Sequence, residues 1–176
     1  QREMMRALRM VGNPSSFNDA GRRTAAELHR TRKIVARFLG AHEDEVVFTG
    51  SGSEANALAV QGIIRADRSG RSEIITTPIE HVSVLEPVCA LSRDEHEVRW
   101  VSVDGEGLVR PEDIERVLSP KTLLVSIMYA NNEIGTIEPI REIGKLVRAF
   151  RKEHRMPYPL FHTDACQAAL KVPHFT

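Results

Sequence analysis

The stretch "VVFTGSGSEANAL", residues 46–58, decides how the chain is read. It begins as a β-branched run, passes through Gly50, Ser51 and Gly52, and continues as an alanine-rich amphipathic segment. A strand feeding a glycine turn that opens a helix presents unpaired N–H groups at the helix start, which is where a phosphate binds.

Outward from this turn, short apolar runs alternate with helical patterns. The runs "EVVFT" (45–49), "EIITT" (73–77), "EVRWVSV" (97–103), "TLLVSIM" (122–128) and "YPLFHT" (158–163) each have the length of a strand. Between them, helical spacing covers 53–66, about 82–92, 111–118, 139–154 and 165–171. Pro111 and Pro139 fall where a first helical turn accepts proline, and "VDGEGLV" reads as a turn. Upstream, Ala25, Leu28, Val35 and Leu39 mark one face of a helix over about residues 20 to 39, with Gly40 as its stop. This alternation predicts an α/β domain with a mainly parallel sheet. No repeat, low-complexity tract or linker marks a domain boundary.

Composition narrows the function classes. A chain of 176 residues that is 41% hydrophobic and 27% charged has the makeup of one soluble globular domain. With 24 basic and 24 acidic residues the formal charge is zero, so no long-range field favours nucleic acid or an anionic membrane. No apolar run reaches the roughly 18 residues of a membrane span, and "QREMMRALRM" lacks the apolar core of a signal peptide. Cys89 and Cys166 are too few for a disulfide framework and suit a reducing compartment, so the cytoplasm is expected.

Ligands of open α/β sheets gather at the carboxyl ends of strands, which singles out "GSGSEAN", "PIEHVS", "YANNEIG" and "DACQ". Residues 50–55 satisfy G-x-G-x-x-A, a dinucleotide fingerprint, which requires an acidic residue about 20 positions on at the end of the second strand. Glu73 has the spacing but precedes its strand. A P-loop is excluded, because no Gly-Lys-Ser/Thr follows.

Taken in order, the glycine turn, "IEHVS", "NNEIG" and "HTDACQ", with "GNPSS" and "GR" at 12–16 and 21–22, resemble the cysteine desulfurase and selenocysteine lyase family. These are class V aminotransferase-group enzymes of fold type I that use pyridoxal 5′-phosphate (PLP). The resemblance runs from Gly12 to about Val172 and implies a three-layer PLP-transferase-like large domain, incomplete in this chain. Residues 1–176 then form the amino-terminal part of that large domain, with its carboxyl-terminal part and the small domain absent. Asn18 departs from the family, which carries histidine there.

The same resemblance assigns roles. Gly52 and Ser53 match the phosphate-binding pair, with Ser53 also placed to cap the helix. Asp164 matches the aspartate that keeps the pyridine nitrogen protonated, and Gln167 the residue that bonds the ring oxygen. His81 matches the histidine that stacks on the ring and moves protons, a catalytic as well as cofactor-binding role. Asn132 matches the asparagine at the cofactor and substrate side, while Asn131 and Glu133 shape the turn. Cys166 and Cys89 read as packing residues. His162 and Cys166, four apart, make no metal site by themselves, and no metal is expected.

The implied parent enzyme takes sulfur from L-cysteine, giving L-alanine and an enzyme persulfide for iron-sulfur cluster or thio-cofactor synthesis. A homodimer and a sulfur-acceptor protein come with the resemblance, with no nucleic acid and no membrane. Its lysine belongs to a Ser-x-His-Lys segment; Lys33, Lys121, Lys145, Lys152 and Lys171 stand in no such motif. The Schiff-base lysine and the persulfide cysteine are therefore expected outside residues 1–176, and this chain alone is expected to be inactive. The alternatives are a selenocysteine lyase or another class V aminotransferase, a non-catalytic truncated relic, and a dinucleotide-binding domain.

Overall fold

The computed structural model describes residues 1–91 and 96–172, which group into two compact units meeting between Phe48 and Thr49. The first unit holds two helices, α1 (Arg2–Leu8) and α2 (Asp19–Leu39), and a 3₁₀ turn at Glu43–Glu45. Asn18 caps α2 by accepting the Gly21 N–H at 2.7 Å, and Gly40 ends it in the left-handed region at φ 64°. Gly21 is required by close approach. A Cβ there would lie 2.4 Å from the Ser16 carbonyl oxygen, so the "GNPSS" loop folds directly onto the helix. The expected apolar face of α2 is only partly buried. Ala25 and Val35 are half-buried, Ala36 is buried, and Leu28 and Leu39 are exposed.

The expected strand at 45–49 does not form. Val46 is extended (φ −92°, ψ 120°), but a strand is defined by its ladder partner, and 46–49 pairs with none among the described residues. Helix α1, which the sequence pattern did not announce, carries no buried residue.

The second unit is the α/β body. It contains α3 (Gly52–Ala66), β1 (Glu73–Thr76), α4 (Val82–Leu91), β2 (Glu97–Trp100), α5 (Pro111–Val117), β3 (Thr122–Ser126), α6 (Ile140–His154) and β4 (Leu160–His162). The strands form one sheet in the order β2-β1-β3-β4, with every pair parallel. Apolar residues on both faces make it the middle of three layers. Ile74, Leu123 and Leu124 pack with Val60 and Ile64 of α3 and Val84 and Val88 of α4. Ile75, Val125 and Ile127 pack on the opposite face with Ile114 of α5 and Ile143 and Val147 of α6. Glu73 pairs with Thr122 but Ile74 pairs with Leu124, so Leu123 is an inserted residue that shifts the register. No helix among the described residues is long and apolar enough to cross a membrane.

Pro111 opens α5 as its first residue, whereas Pro139 precedes α6 as its cap. "VDGEGLV" turns as expected: Asp104 accepts the N–H groups of Glu106 and Leu108, both at 3.0 Å, and Gly107 sits at φ 79°. The expected helix at 165–171 is instead a run of turns. Ala168 and Ala169 both donate to the Ala165 carbonyl, and Leu170 at φ 64° breaks the spiral. Position 92 of the expected 82–92 helix lies outside the described residues.

Glu73, the acidic residue that a dinucleotide site requires, stands at the amino end of β1, away from the strand ends where ligands gather. Its buried carboxylate accepts from Ser119 Oγ at 2.5 Å, Arg99 at 3.1 Å and Thr122 Oγ1 at 3.4 Å, and so fastens β1, β2 and the entry to β3. Removing it strands these donors. Glu73→Ala is expected to destabilise the chain by about 1–3 kcal/mol, measured by urea unfolding at pH 7.

Candidate active site

Strand order reverses direction between β1 and β3: the chain continues from β1 outward to β2, and from β3 outward to β4. Such a switch point leaves a crevice at the carboxyl ends of the two central strands. A crevice with about 490 Å³ of empty space is found here, walled by the start of α3, the loop after β1, the segment after β3 and the turn after β4. Gly52, Ser53, His81, Asn132, Asp164 and Gln167 all line it, although 115 positions separate Gly52 from Gln167.

At the α3 end, Ser51 rather than Ser53 is the cap; its hydroxyl accepts the Glu54 N–H at 3.1 Å. Ser53 therefore lies inside the first turn, exposed, with its hydroxyl not occupied in capping. The amides of Gly52 and Ser53 have no intrahelical acceptor, as at any helix start. Gly52 also makes room. A Cβ there would lie 2.7 Å from the Cys166 sulfur, so the glycine and the cysteine share one small space at the crevice wall.

Opposite lies Asp164, buried to 7% exposure at the exit of β4. Its Oδ1 accepts the Cys166 N–H at 2.9 Å and its Oδ2 accepts Asn56 Nδ2 at 2.8 Å. Burial pushes the carboxyl upward, but the Cys166 backbone and thiol, Asn56 and neighbouring His162 together outweigh it and hold Asp164 below the usual carboxylate range. Next to it, burial pulls His162 below the ordinary imidazole value, against the pull of Asp164, while His162 Nδ1 lies 2.8 Å from Ser126 Oγ. The site thus keeps one fixed negative charge beside a neutral ring.

Asn56 and Ser83 connect the walls. The second hydrogen of Asn56 Nδ2 goes to Ser83 Oγ at 2.9 Å, and Ser83 Oγ lies 2.7 Å from His81 Nδ1. Because Nδ1 also accepts the Ser83 N–H at 3.2 Å, the tautomer this geometry selects carries its hydrogen on Nε2. Neither Asn56 nor Ser83 was singled out from sequence. The signal was available for Asn56, which falls on the same helical stripe as the buried Val60 and Ile64; a polar residue there needs a buried partner.

Two residues differ from their expected placing. Cys166 is exposed and lines the crevice rather than packing in the core, and burial of its sulfur together with Asp164 pushes the thiol above its ordinary value. Cys89 is likewise exposed, on α4 beside the buried Val88. Asn131 shapes the turn as expected, with Oδ1 accepting from Glu133 and Ile134 at 2.9 and 3.1 Å and Nδ2 donating to the Ile79 carbonyl. It leaves Asn132 exposed at the rim. Gln167, on a turn instead of a helix, accepts Lys171 Nζ at 2.6 Å. No group of three or more metal-ligating side chains occurs among the described residues.

Comparison with known proteins gives the family of the chain. The profile of the aminotransferase class-V family matches residues 2–175. The chain belongs to that family. Cysteine desulfurase IscS of Dictyoglomus turgidum is 42% identical over 162 residues, which cover 92% of this chain and 39% of that relative. Among solved structures, DndA from Streptomyces lividans superposes with a TM-score of 0.87 at 35% identity, covering 99% of this chain and 48% of that one. A NifS-like protein superposes with a TM-score of 0.86 at 36% identity, covering 94% and 44%. The chain therefore spans less than half the length of these family members, and its fold is that of their PLP-transferase-like α/β part.

The bond from Asn56 is expected to add to the Cys166 contacts in holding Asp164 ionised. Asn56→Ala should raise the Asp164 titration midpoint, read by carboxyl ¹³C NMR, and cost about 1–3 kcal/mol at pH 7. The stabilising contribution of Asp164 is present above the unfolded carboxyl pKa and lost as pH falls through the depressed folded value, so the variant should differ least from the parent in acid.

Proposed function

We propose that residues 1–176 are the amino-terminal, cofactor-holding part of a PLP-dependent cysteine desulfurase. The observation that carries this is the buried, ionised Asp164 facing the start of α3 across one crevice that also takes in His81. The residues fit the cofactor's three demands. Free amides and a hydroxyl at Gly52 and Ser53 suit a phosphate, a carboxylate held ionised suits a protonated pyridine nitrogen, and the flat His81 imidazole suits a ring face.

In this reading Gly52 and Ser53 hold the phosphate, Asp164 holds the ring nitrogen, Gln167 exchanges Lys171 for the ring oxygen, and Asn132 serves the cofactor and substrate side. When bound, PLP supplies an electron sink for charge developing at the amino-acid α-carbon. Ser83 holds Nδ1 of His81, so Nε2 is the ring atom left to donate a hydrogen bond and, from the doubly protonated ring, to give a proton. Cys166, with its thiol held protonated against Asp164, is a wall residue and not the sulfur acceptor.

For the complete protein the proposal is conversion of L-cysteine to L-alanine, with the sulfur passed to an enzyme cysteine for iron-sulfur cluster or thio-cofactor synthesis, in a cytoplasmic homodimer. The cysteine desulfurase names of the relatives support it. The Schiff-base lysine and the sulfur-accepting cysteine come from outside residues 1–176.

Two outcomes are expected. Pyridoxamine 5′-phosphate, which needs no lysine, should bind the chain, and Asp164→Ala should weaken binding about tenfold or more by fluorescence titration, as loss of one charge-assisted contact requires; equal affinity in the variant would remove the assignment. Incubation with PLP and borohydride should leave no single lysine stoichiometrically pyridoxylated by mass spectrometry, and the chain alone should release no alanine from L-cysteine.

A further inference from the structure

Glu80 is a buried ionisable side chain beside the crevice that the proposed chemistry leaves unused. It directly precedes His81 and is 4% exposed. Its Oε1 accepts two hydrogen bonds, from the Met128 N–H at 2.7 Å and from Thr77 Oγ1 at 3.1 Å. Its Oε2 is buried with no partner among the described residues. The loop after β1 and the segment after β3 are thus joined through one oxygen, and both segments wall the crevice, through His81 and through Met128 and Ala130. Asn131 Nδ2, donating to the Ile79 carbonyl at 3.1 Å, adds a second tie between the same two segments.

We propose that Glu80 is a positioning residue that works as a neutral carboxylic acid: Oε1 ties the His81 loop to residues 128–131, and a proton on Oε2 spares the fold the cost of a buried charge there. The two oxygens argue for this division. A carboxylate would bury an anionic oxygen without a donor, a costly arrangement, whereas the acid places its proton on the oxygen that receives none. The surroundings point the same way. Asp164, beyond β4, and Glu138, before α6, both act on Glu80 as like charges. Glu133 and His81 line the hollow on its other side. Burial, the largest influence, and these two acids push the group up to about 7, against the bonds from Met128 and Thr77.

The sign of the pH effect follows. A carboxyl whose folded pKa lies above its unfolded value of 4.5 contributes stability fully present below 4.5 and lost as pH rises to about 7. His162, lowered by burial, acts in part of this window with the opposite sign, so the quantity to read is the difference between the wild type and Glu80→Gln, which mimics the neutral acid. In urea unfolding of the 176-residue chain without ligand, moving from pH 5 to pH 8 should shift the wild-type equilibrium toward the unfolded state by about two orders of magnitude relative to Glu80→Gln. Parallel pH dependence in the two proteins would overturn the neutral-acid assignment. At pH 6 the His81 imidazole NMR resonances should match wild type in Glu80→Gln and move in Glu80→Ala; unmoved resonances in a folded Glu80→Ala would overturn the positioning role.

Discussion

One amide nitrogen holds the crevice together. Asn56 Nδ2 has two hydrogens and uses one on Asp164 Oδ2 and the other on Ser83 Oγ, so three elements distant in sequence are fixed by a group on the first turns of α3. The bond to Asp164 spans 108 positions of chain. Its geometry is possible because parallel strands deliver all their carboxyl ends to one side of the sheet, and it is demanded because a buried amide and a buried carboxylate each lose several hydrogen bonds to water unless they find one another. Once Asn56 is satisfied, the orientation of the carboxylate and, through Ser83, the protonation pattern of His81 are no longer independent variables.

The electrostatics of the crevice divide its acids by environment. Asp164 collects donors from Cys166 and Asn56 and stays charged. Glu80, about as buried but with a donor-free oxygen, is pushed to the edge of neutrality. Glu138, bonded at one oxygen to the Val109 N–H and without a partner at the other among the described residues, is raised by burial as well. Unequal donor supply thus favours negative charge on Asp164 over its buried neighbours Glu80 and Glu138, and Asp164 faces the start of α3, where unpaired amides supply partial positive charge. A bound molecule with a cationic ring atom and an anionic tail complements that separation.

Much of this was legible in the chain. Strands buried on both faces leave continuous apolar runs, and β1 to β4 stand within the runs beginning at Glu73, Glu97, Thr122 and Tyr158. The residues after those runs, with Gly52 and Ser53, are the ones the structure gathers. What escaped detection depends on tertiary context. The run at 45–49 looks like a strand, but pairing is a property of two segments, and periodicity sees one. The segment at 165–171 has helical spacing, yet Leu170 takes a left-handed conformation that stops the spiral after its first turn. Cys166 has the residue type of core filler; the space for its sulfur beside Gly52 is a complementarity across the fold that no local window contains.

The extra residue in β3 has a further effect on the crevice. By slipping Leu123 into the ladder, the strand changes phase once near its beginning, and every side chain beyond that point keeps the new alternation. Ser126 thereby leaves the sheet under His162, Ile127 turns to the α5 and α6 layer, and the next amide, that of Met128, emerges against Glu80. This wall of the crevice is in that sense timed from the opposite end of the strand. A single deletion near Leu123, remote from any ligand, would put the exit out of step, so this stretch should tolerate changes of side chain far better than changes of length.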